Sequence, residues 1–539
     1  MPIATSYPGV YIQEIASGVR TINGVSTSIA AFVGRAQRGV INQPVTLNGY
    51  GDFEREFGGL WLNSPMSYAV ADFFQNGGSQ AIVVRLHNGA TTYAMTIGAV
   101  KLAARSPGLW GLNLRATVAI TDVAGDLPNQ FNLLIRDLST GRVETFRNLT
   151  LQDGPQRVDK VLTQQSSLVA WSGTVPPATA VAPTAGDDPV GFREKALAVA
   201  VASGVAADIS LAQAALDAAR AAAALGMTDG AALTVNQFVG PGLESAKQGL
   251  YALKLAELFN LLCLPPHHYA GTSGDIETSL ISAAAAFCES RRAILIVDPP
   301  STWNDKATAR TQFTDPVKDN VGTRSRNAAL YFPRVVQPNP LRGGQLETFV
   351  ACGAVAGVIA RTDATSGLWK AAAGQEATLL GVPQLGYQLT DAEIGELNPL
   401  GINCLRLLPG GLRVVWGART LQGDDRLASD WKYLPVRRLA LYIEESLYRG
   451  TQWAVFEPNA EPLWAQLRLS IGNFMQDLFR QGAFQGQRPA DAYFVKCDAQ
   501  TTTPSDINQG VVNVIVGFAP VKPAEFIVIQ LQQLAGQSA

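Results

Sequence analysis

The chain has 539 residues, of which 47% are apolar and 16% charged, with a formal net charge of -2. That length and apolar content are enough for several cores and exclude a disordered chain. The near-zero charge, with no Lys/Arg run, excludes an electrostatic footprint for nucleic acid and leaves little long-range repulsion between copies.

The five cysteines, Cys263, Cys288, Cys352, Cys404 and Cys497, are odd in number and sit in apolar surroundings. They read as reduced, buried thiols made in a cytoplasm rather than a disulfide framework. MPIATSYPGVYIQEI carries no basic segment followed by an apolar one, so no signal peptide is expected. The most apolar long stretch, Ala196 to Leu225, is interrupted by Gly204, Asp208, Asp217 and Arg220, too often to span a bilayer.

In chain order, Val10 and Ile12 alternate with Tyr11, Gln13 and Ile15 after Pro8–Gly9, the pattern of a strand. The small polar residues 16–27 that follow read as a flexible tether. A lone terminal strand cannot satisfy its own backbone groups and needs a partner sheet. Ile29 to Gly34 reads as a buried strand, Met66 to Asn76 as a helix closed by Gly77–Gly78, and Ala81 to Leu86 as a further strand. Leu112 to Ile120, Phe131 to Arg136 and Val143 to Leu149 are strand-like, with a hairpin turn at Ser139–Thr140–Gly141. A Pro/Ala/Thr stretch at 171–191 reads as a linker before an Ala-rich helix over 192–225.

From 243 helices and strands alternate: helix 243–258, strand Phe259 to Leu264, helix 277–290, strand Ala293 to Val297. Continuous apolar strands between helices predict a buried, largely parallel sheet. Helix 436–449 places Val436, Leu439, Ile443 and Leu447 on one face. Helix 462–481 places Leu463, Leu467, Ile471, Phe474 and Leu478 on an apolar stripe, opposite Gln466, Ser470, Asn473, Asp477 and Arg480. Strands over Val511 to Phe518 and Glu525 to Leu531, separated by Pro520 and Pro523, close the chain.

No phosphate loop of the G-x-x-x-x-G-K-[ST] type, no G-x-G-x-x-G after a strand, no G-x-S-x-G elbow and no H-E-x-x-H occurs. Cys263, His267 and His268 lie close in sequence, but Pro265–Pro266 makes this a strand-end loop with no second ligand cluster, so a structural role is expected. Asp298 follows a buried strand without a nucleophile–base partner, and capping or turn formation is expected there. Arg361 and Asp363 read as a local pair at a domain junction. Arg437, Arg438, Glu444 and Glu445 are candidates for ion pairs between subunits.

The segments YPGVYIQEI, STSIAAFVGRAQRG, SPGLWGLNL, FNLLCLPP, ILIVDPPSTW, GVIARTDATSGLWKAAAG, LNPLGINCLR, VVWGART, WKYLPVRRLALYIEESL, VFEPNAEPLW and APVKPAEFIVI resemble, in this order, the contractile tail sheath proteins, in the branch of extracellular contractile injection systems. Ala372 stands where that pattern commonly has Pro, and 171–240 matches least.

The resemblance implies a multidomain α/β sheath fold. Its expected parts are an N-terminal arm (1–27), a first core segment (28–88), inserted outer domains that are β-rich and then helical (89–310), a core continuation (311–430), an inner, tube-facing C-terminal domain (431–518) and a C-terminal arm (519–539). It also implies a structural protein without catalysis or cofactor. Its partners would be copies of itself in stacked six-fold rings, an inner tube, a baseplate and a terminator or cap. It would assemble in the cytoplasm and belong to a released particle or tail, without membrane insertion. Val10, Tyr11, Ile12 and Ile15, with Phe526, Ile527, Val528, Ile529 and Leu531, are the candidates for strands exchanged between subunits. Arg468, Asn473, Asp477 and Arg480 are the candidates for contact with the tube. An α/β hydrolase-like enzyme and a static capsid or shell protein are the competing readings.

Overall fold

The computed structural model describes residues 20–120, 130–174, 184–267 and 274–530. Its centre is an eight-stranded sheet ordered Arg413–Trp416, Ile402–Leu407, Ala328–Phe332, Ile294–Val297, Leu261–Cys263, Ala30–Gly34, Ala81–Arg85, Pro44–Leu47. The six inner strands run parallel, and the strand at each edge is antiparallel to its neighbour. Alternate residues feed two cores. Phe32, Val83, Ile296 and Tyr331 pack against helices Pro65–Gln75 and Cys352–Ser366. Ala31, Val84, Leu295 and Leu330 pack on the other side with Leu280, Phe287 and Phe313. Because both faces are covered, the strands read as unbroken apolar runs rather than as alternating ones.

Gly353 and Gly357 set how closely the two helices on the first face approach. A Cβ at Gly353 would overlap the carbonyl oxygen of Ala69, and one at Gly357 would meet the carbonyl oxygen of Phe73 at 2.5 Å.

The sheet order corrects the expected insert. Strands Leu261–Cys263 and Ile294–Val297 lie in the middle of the main sheet, so residues from 261 onward are core and not part of an insert reaching 310. What does stand apart is a β unit built on Leu114–Ala119, Phe131–Asp137 and Val143–Leu149, with its own core of Trp110, Phe131, Leu133, Ile135 and Val158. The expected helix 192–225 is two helices, Pro189–Ser203 and Ala206–Ala224, with Gly204 between them at φ 72°. The left-handed conformation that Gly adopts without strain ends the first helix there. The expected helix 243–258 is a short helix Leu243–Ala246 and a 3-10 turn Gly249–Leu255, divided by positive φ at Lys247 and Gly249.

Helices Leu434–Gly450 and Glu461–Arg480 share a further core, formed by Leu439, Ile443, Ile471, Phe474 and Leu478. A two-stranded antiparallel sheet, Tyr493–Lys496 with Ile515–Phe518, lies against it. The strand expected over 511–518 is confined to 515–518.

Candidate assembly interface

The site begins with the two chain ends, because a strand without a partner sheet is what the sequence leaves unexplained. Val10, Tyr11, Ile12, Ile15 and Leu531 lie outside the described residues. The adjoining segments are described, and each is tied to the body before its arm begins.

At the N-terminal end the described part of the expected tether, residues 20–27, is docked rather than loose; residues 16–19 lie outside the described residues. Ile22 is 5% exposed and packs in the core of the C-terminal helices. A Cβ on Gly450 would collide with it, so only Gly admits the chain this close to the helix. Val25 N–H donates to Ser446 Oγ (3.2 Å), and Arg438 Nη2 donates to the Thr27 carbonyl (2.9 Å). Asn260 donates to Ser26 O and accepts from Ile29 N–H. One apolar anchor and a row of backbone bonds thus lay residues 22–29 along the protein.

At the C-terminal end, strand Ile515–Phe518 continues through Ala519 N–H to Ala492 O (2.8 Å) and Val521 N–H to Ala483 O (3.2 Å). Glu525 then accepts from Arg419 Nε (2.8 Å) and Nη2 (2.5 Å). Immediately beyond it, Phe526, Ile527, Val528 and Ile529 are 76 to 84% exposed and have no ladder partner among the described residues. Four consecutive large apolar residues in water, on a segment whose base is fixed, form an exposed apolar patch of the kind that marks a contact surface.

The two-stranded sheet 493–496/515–518 presents a complementary surface. Each strand has one edge without a partner among the described residues. Phe494 and Ile515 are about half-exposed on its outer face. A two-stranded sheet is marginal alone, and its open edges are templates for added strands.

Helix Glu461–Arg480 exposes Gln466, Leu469, Asn473, Asp477 and Arg480. Ser470, expected on this stripe, is buried instead (2%) because its helical position turns toward the core. Arg468 bonds Glu461 Oε1 and the Cys497 carbonyl, so it is engaged within the chain. Asp477 and Arg480 stand 3.9 Å apart with both side chains largely in water.

The four charges read as candidates for ion pairs between subunits are used internally. Arg437 is 4% exposed and donates to Asn327 Oδ1 (2.9 Å), with Glu444 3.4 Å away. Arg438 is 6% exposed and holds Asp363 in a bidentate pair. Glu445 joins Arg292 (2.9 Å) and Arg449 (2.7 Å). Arg437, Arg438 and Glu445 are thus buried with partners inside the chain, and Glu444 is half-exposed. Asp363 likewise pairs with Arg438 and not with Arg361, whose guanidinium bonds the carbonyls of Asn76 and Thr378.

Asp298 has the expected capping role. Its Oδ1 accepts from the backbone N–H of Ala351 and Cys352 (both 2.9 Å) at the start of helix Cys352–Ser366. Burial pushes its carboxyl up to about 6. His267 is buried 2.9 Å from Glu277, Cys263 Sγ reaches the Cys352 carbonyl, and His268 lies outside the described residues. No cluster of three metal-ligating side chains occurs among the described residues. No described helix is long and apolar enough to cross a membrane.

Comparison with known proteins places this geometry. The phage tail sheath protein central domain model matches residues 240–421, which hold five of the eight strands of the main sheet, from Leu261–Cys263 to Arg413–Trp416. The phage tail sheath C-terminal domain model matches 428–533, which holds both C-terminal helices, the small sheet and the described arm. Similar solved structures include the contracted sheath of the PVC extracellular contractile injection system (20% identity, 99% of each chain, TM-score 0.55). The contracted helical sheath of the anti-feeding prophage is also similar (23% identity, 98% of this chain and 100% of that one, TM-score 0.53). So is a sheath tail protein from Listeria innocua (13% identity, 93% and 96%, TM-score 0.58). No curated protein matches. With the two sheath models together covering more than half of its length, the chain belongs to the phage tail sheath protein family.

Proposed function

We propose that this chain is the structural subunit of a contractile sheath of the extracellular injection type. Copies polymerise helically around an inner tube and pass from a metastable extended packing to a contracted one, driving the tube through a target envelope. The stored difference lies between two packings of the same subunits, so firing needs no nucleotide. The subunits remain joined because each arm adds to the open sheet of a neighbour: 526–531 from one copy and 10–15 from another flank the pair 493–496/515–518. Baseplate and cap proteins bound the polymer, and the exposed face of helix Glu461–Arg480, with Asn473, Asp477 and Arg480, meets the tube.

The single observation that carries this reading is the run Phe526–Ile529, exposed beyond an anchored Glu525 in a molecule whose small sheet has edges without a partner among the described residues. Main-chain bonds give such an addition its affinity, and alternate side chains give it register. Truncation after Glu525 tests it. The truncated chain is expected to keep the parent's helix content and melting behaviour yet form no striated cylinders under negative stain. Normal cylinders from the truncated chain would refute the exchange.

A further inference from the structure

Among the described residues Arg419 is the largest side chain that is wholly out of water (0% exposed), and it lies far in sequence from the group it holds. Its Nε and Nη2 grip both carboxylate oxygens of Glu525, a bidentate pair across 106 residues. Nη1 donates to the carbonyls of Asn398 (2.9 Å) and Gly423 (3.1 Å) and to Asp425 Oδ1 (3.0 Å). Its backbone is pinned as well. Arg419 N–H donates to Asn403 Oδ1 (2.7 Å), and Asn403 Nδ2 returns a bond to the Arg419 carbonyl (2.8 Å). Asn403 is itself wholly buried in strand Ile402–Leu407 of the main sheet. Glu525 also accepts from the Tyr433 hydroxyl (3.3 Å). A guanidinium held on every side cannot swing to follow a moving carboxylate, so the carboxylate is fixed to the sheet.

The chain on either side of Glu525 is less constrained. Upstream, Lys522, Pro523 and Ala524 separate it from Val521, whose N–H is held by the Ala483 carbonyl, and Pro523 has no N–H to give. Downstream come the exposed residues 526–529. Glu525 is therefore the last fixed point of the chain before the arm, and it is fixed to the core sheet rather than to the small sheet from which the segment departs.

We propose that the Arg419–Glu525 pair is the bolt from which the C-terminal arm is measured. It sets the place, and so the register, at which Phe526 and the residues after it enter a neighbouring copy, and it passes the pull of that neighbour into the main sheet through Asn403. This rests on the arm reading above. A register fixed at Glu525 makes the chain insensitive to length before that residue and sensitive to length after it. Side chains alternate with period two, so one extra residue downstream turns every arm side chain to the wrong face.

The test is a pair of single-glycine insertions in the full-length chain, one between Lys522 and Pro523 and one between Glu525 and Phe526, assayed by negative-stain microscopy, with melting of the unassembled subunit as the folding control. The upstream insertion is expected to assemble like the parent, and the downstream insertion to lose cylinders while melting normally. In a Glu525→Gln background the upstream insertion is expected to lose its tolerance. Equal behaviour of the two insertions in the parent background overturns the bolt. If truncation after Glu525 also abolishes cylinders, the arm reading stands without the bolt; if truncation leaves cylinders intact, both fall.

Discussion

Asp363→Ala probes the contact that joins three parts of the molecule at once. Arg438 Nη1 and Nη2 reach the two oxygens of Asp363 at 2.8 and 2.5 Å, and Nη2 also donates to Thr27 O at 2.9 Å. The two side chains are 6 and 3% exposed, so the pair ties helix Cys352–Ser366, helix Leu434–Gly450 and the base of the N-terminal arm together out of water. Removing one partner of a buried pair leaves an uncompensated charge, which costs about 3–5 kcal/mol. Two smaller effects oppose it. Asp363 lies in the last turn of its helix, where loss of a negative charge gains about 0.3–1 kcal/mol, and Ala is the better helix former by a few tenths. The net expectation is a loss of about 2–4 kcal/mol, which amide exchange of residues 434–450 reports as an acceleration of about thirty- to a thousandfold. Adding Arg438→Met should restore much of the loss, because the stranded charge is then gone. Acceleration below about fivefold in Asp363→Ala would refute the argument that this contact secures the arm base.

Two further outcomes follow from burial. Asp72 is 5% exposed, accepts from Gln337 Nε2 at 3.0 Å, and is pushed by burial up to about 7. An unfolded chain releases this proton near pH 4, so between about pH 4 and 7 the folded state binds more protons and stability falls as pH rises, by at most about 1.4 kcal/mol per pH unit. Asp72→Asn should therefore match the parent near pH 4 and exceed it by about 2–4 kcal/mol at pH 8, and a difference that does not vary with pH would contradict this origin. Gly353→Ala forces helix Cys352–Ser366 away from the carbonyl oxygen of Ala69, an overpacking cost of about 1–3 kcal/mol set against about 1 kcal/mol of gained helix propensity. A lowered denaturation midpoint is expected, and a raised one would mean that the two helices separate freely.

Much of the main sheet was legible because its strands are buried on both faces and so appear as short apolar runs such as AIVVRL and ILIV. The stripe of Leu463, Leu467, Ile471, Phe474 and Leu478 was legible for the complementary reason, one apolar face at helical spacing. Ser470 escaped because a small hydroxyl fits a core position without disturbing that pattern. The break at Gly204 was visible as a glycine, yet the Ala-rich sequence on both sides has such helix propensity that it masked a turn. Charge was the least legible property. Arg437, Arg438 and Arg419 look like any solvated cation in sequence, and their burial depends on acceptors supplied from 75 to 110 residues away. The partner of Arg419 could be found only once the topology had brought Glu525 beside strand Arg413–Trp416.

The proposed arm exchange can be weighed as energies. Burying four side chains such as Phe526–Ile529 yields about 6–12 kcal/mol gross, at about 1.5–3 kcal/mol each. Ordering their backbone takes back about 1–2 kcal/mol per residue, and association takes several more, so one arm in one neighbour is a weak contact. On the proposed reading, a subunit with both arms and the open sheet engaged would make several such contacts while meeting the association cost once, and a weak pairing would become a cooperative lattice. On the same reading, contraction that left every arm in place would forfeit none of this, and the bases at Ile22 and Glu525 are held on the subunit body. A lattice built this way should fail first at its joints, so overstretched sheaths are expected to part with arm residues 526–531 becoming protease-accessible while the main sheet still protects its amides. Loss of sheet protection before arm cleavage would place the weak point in the subunit body instead.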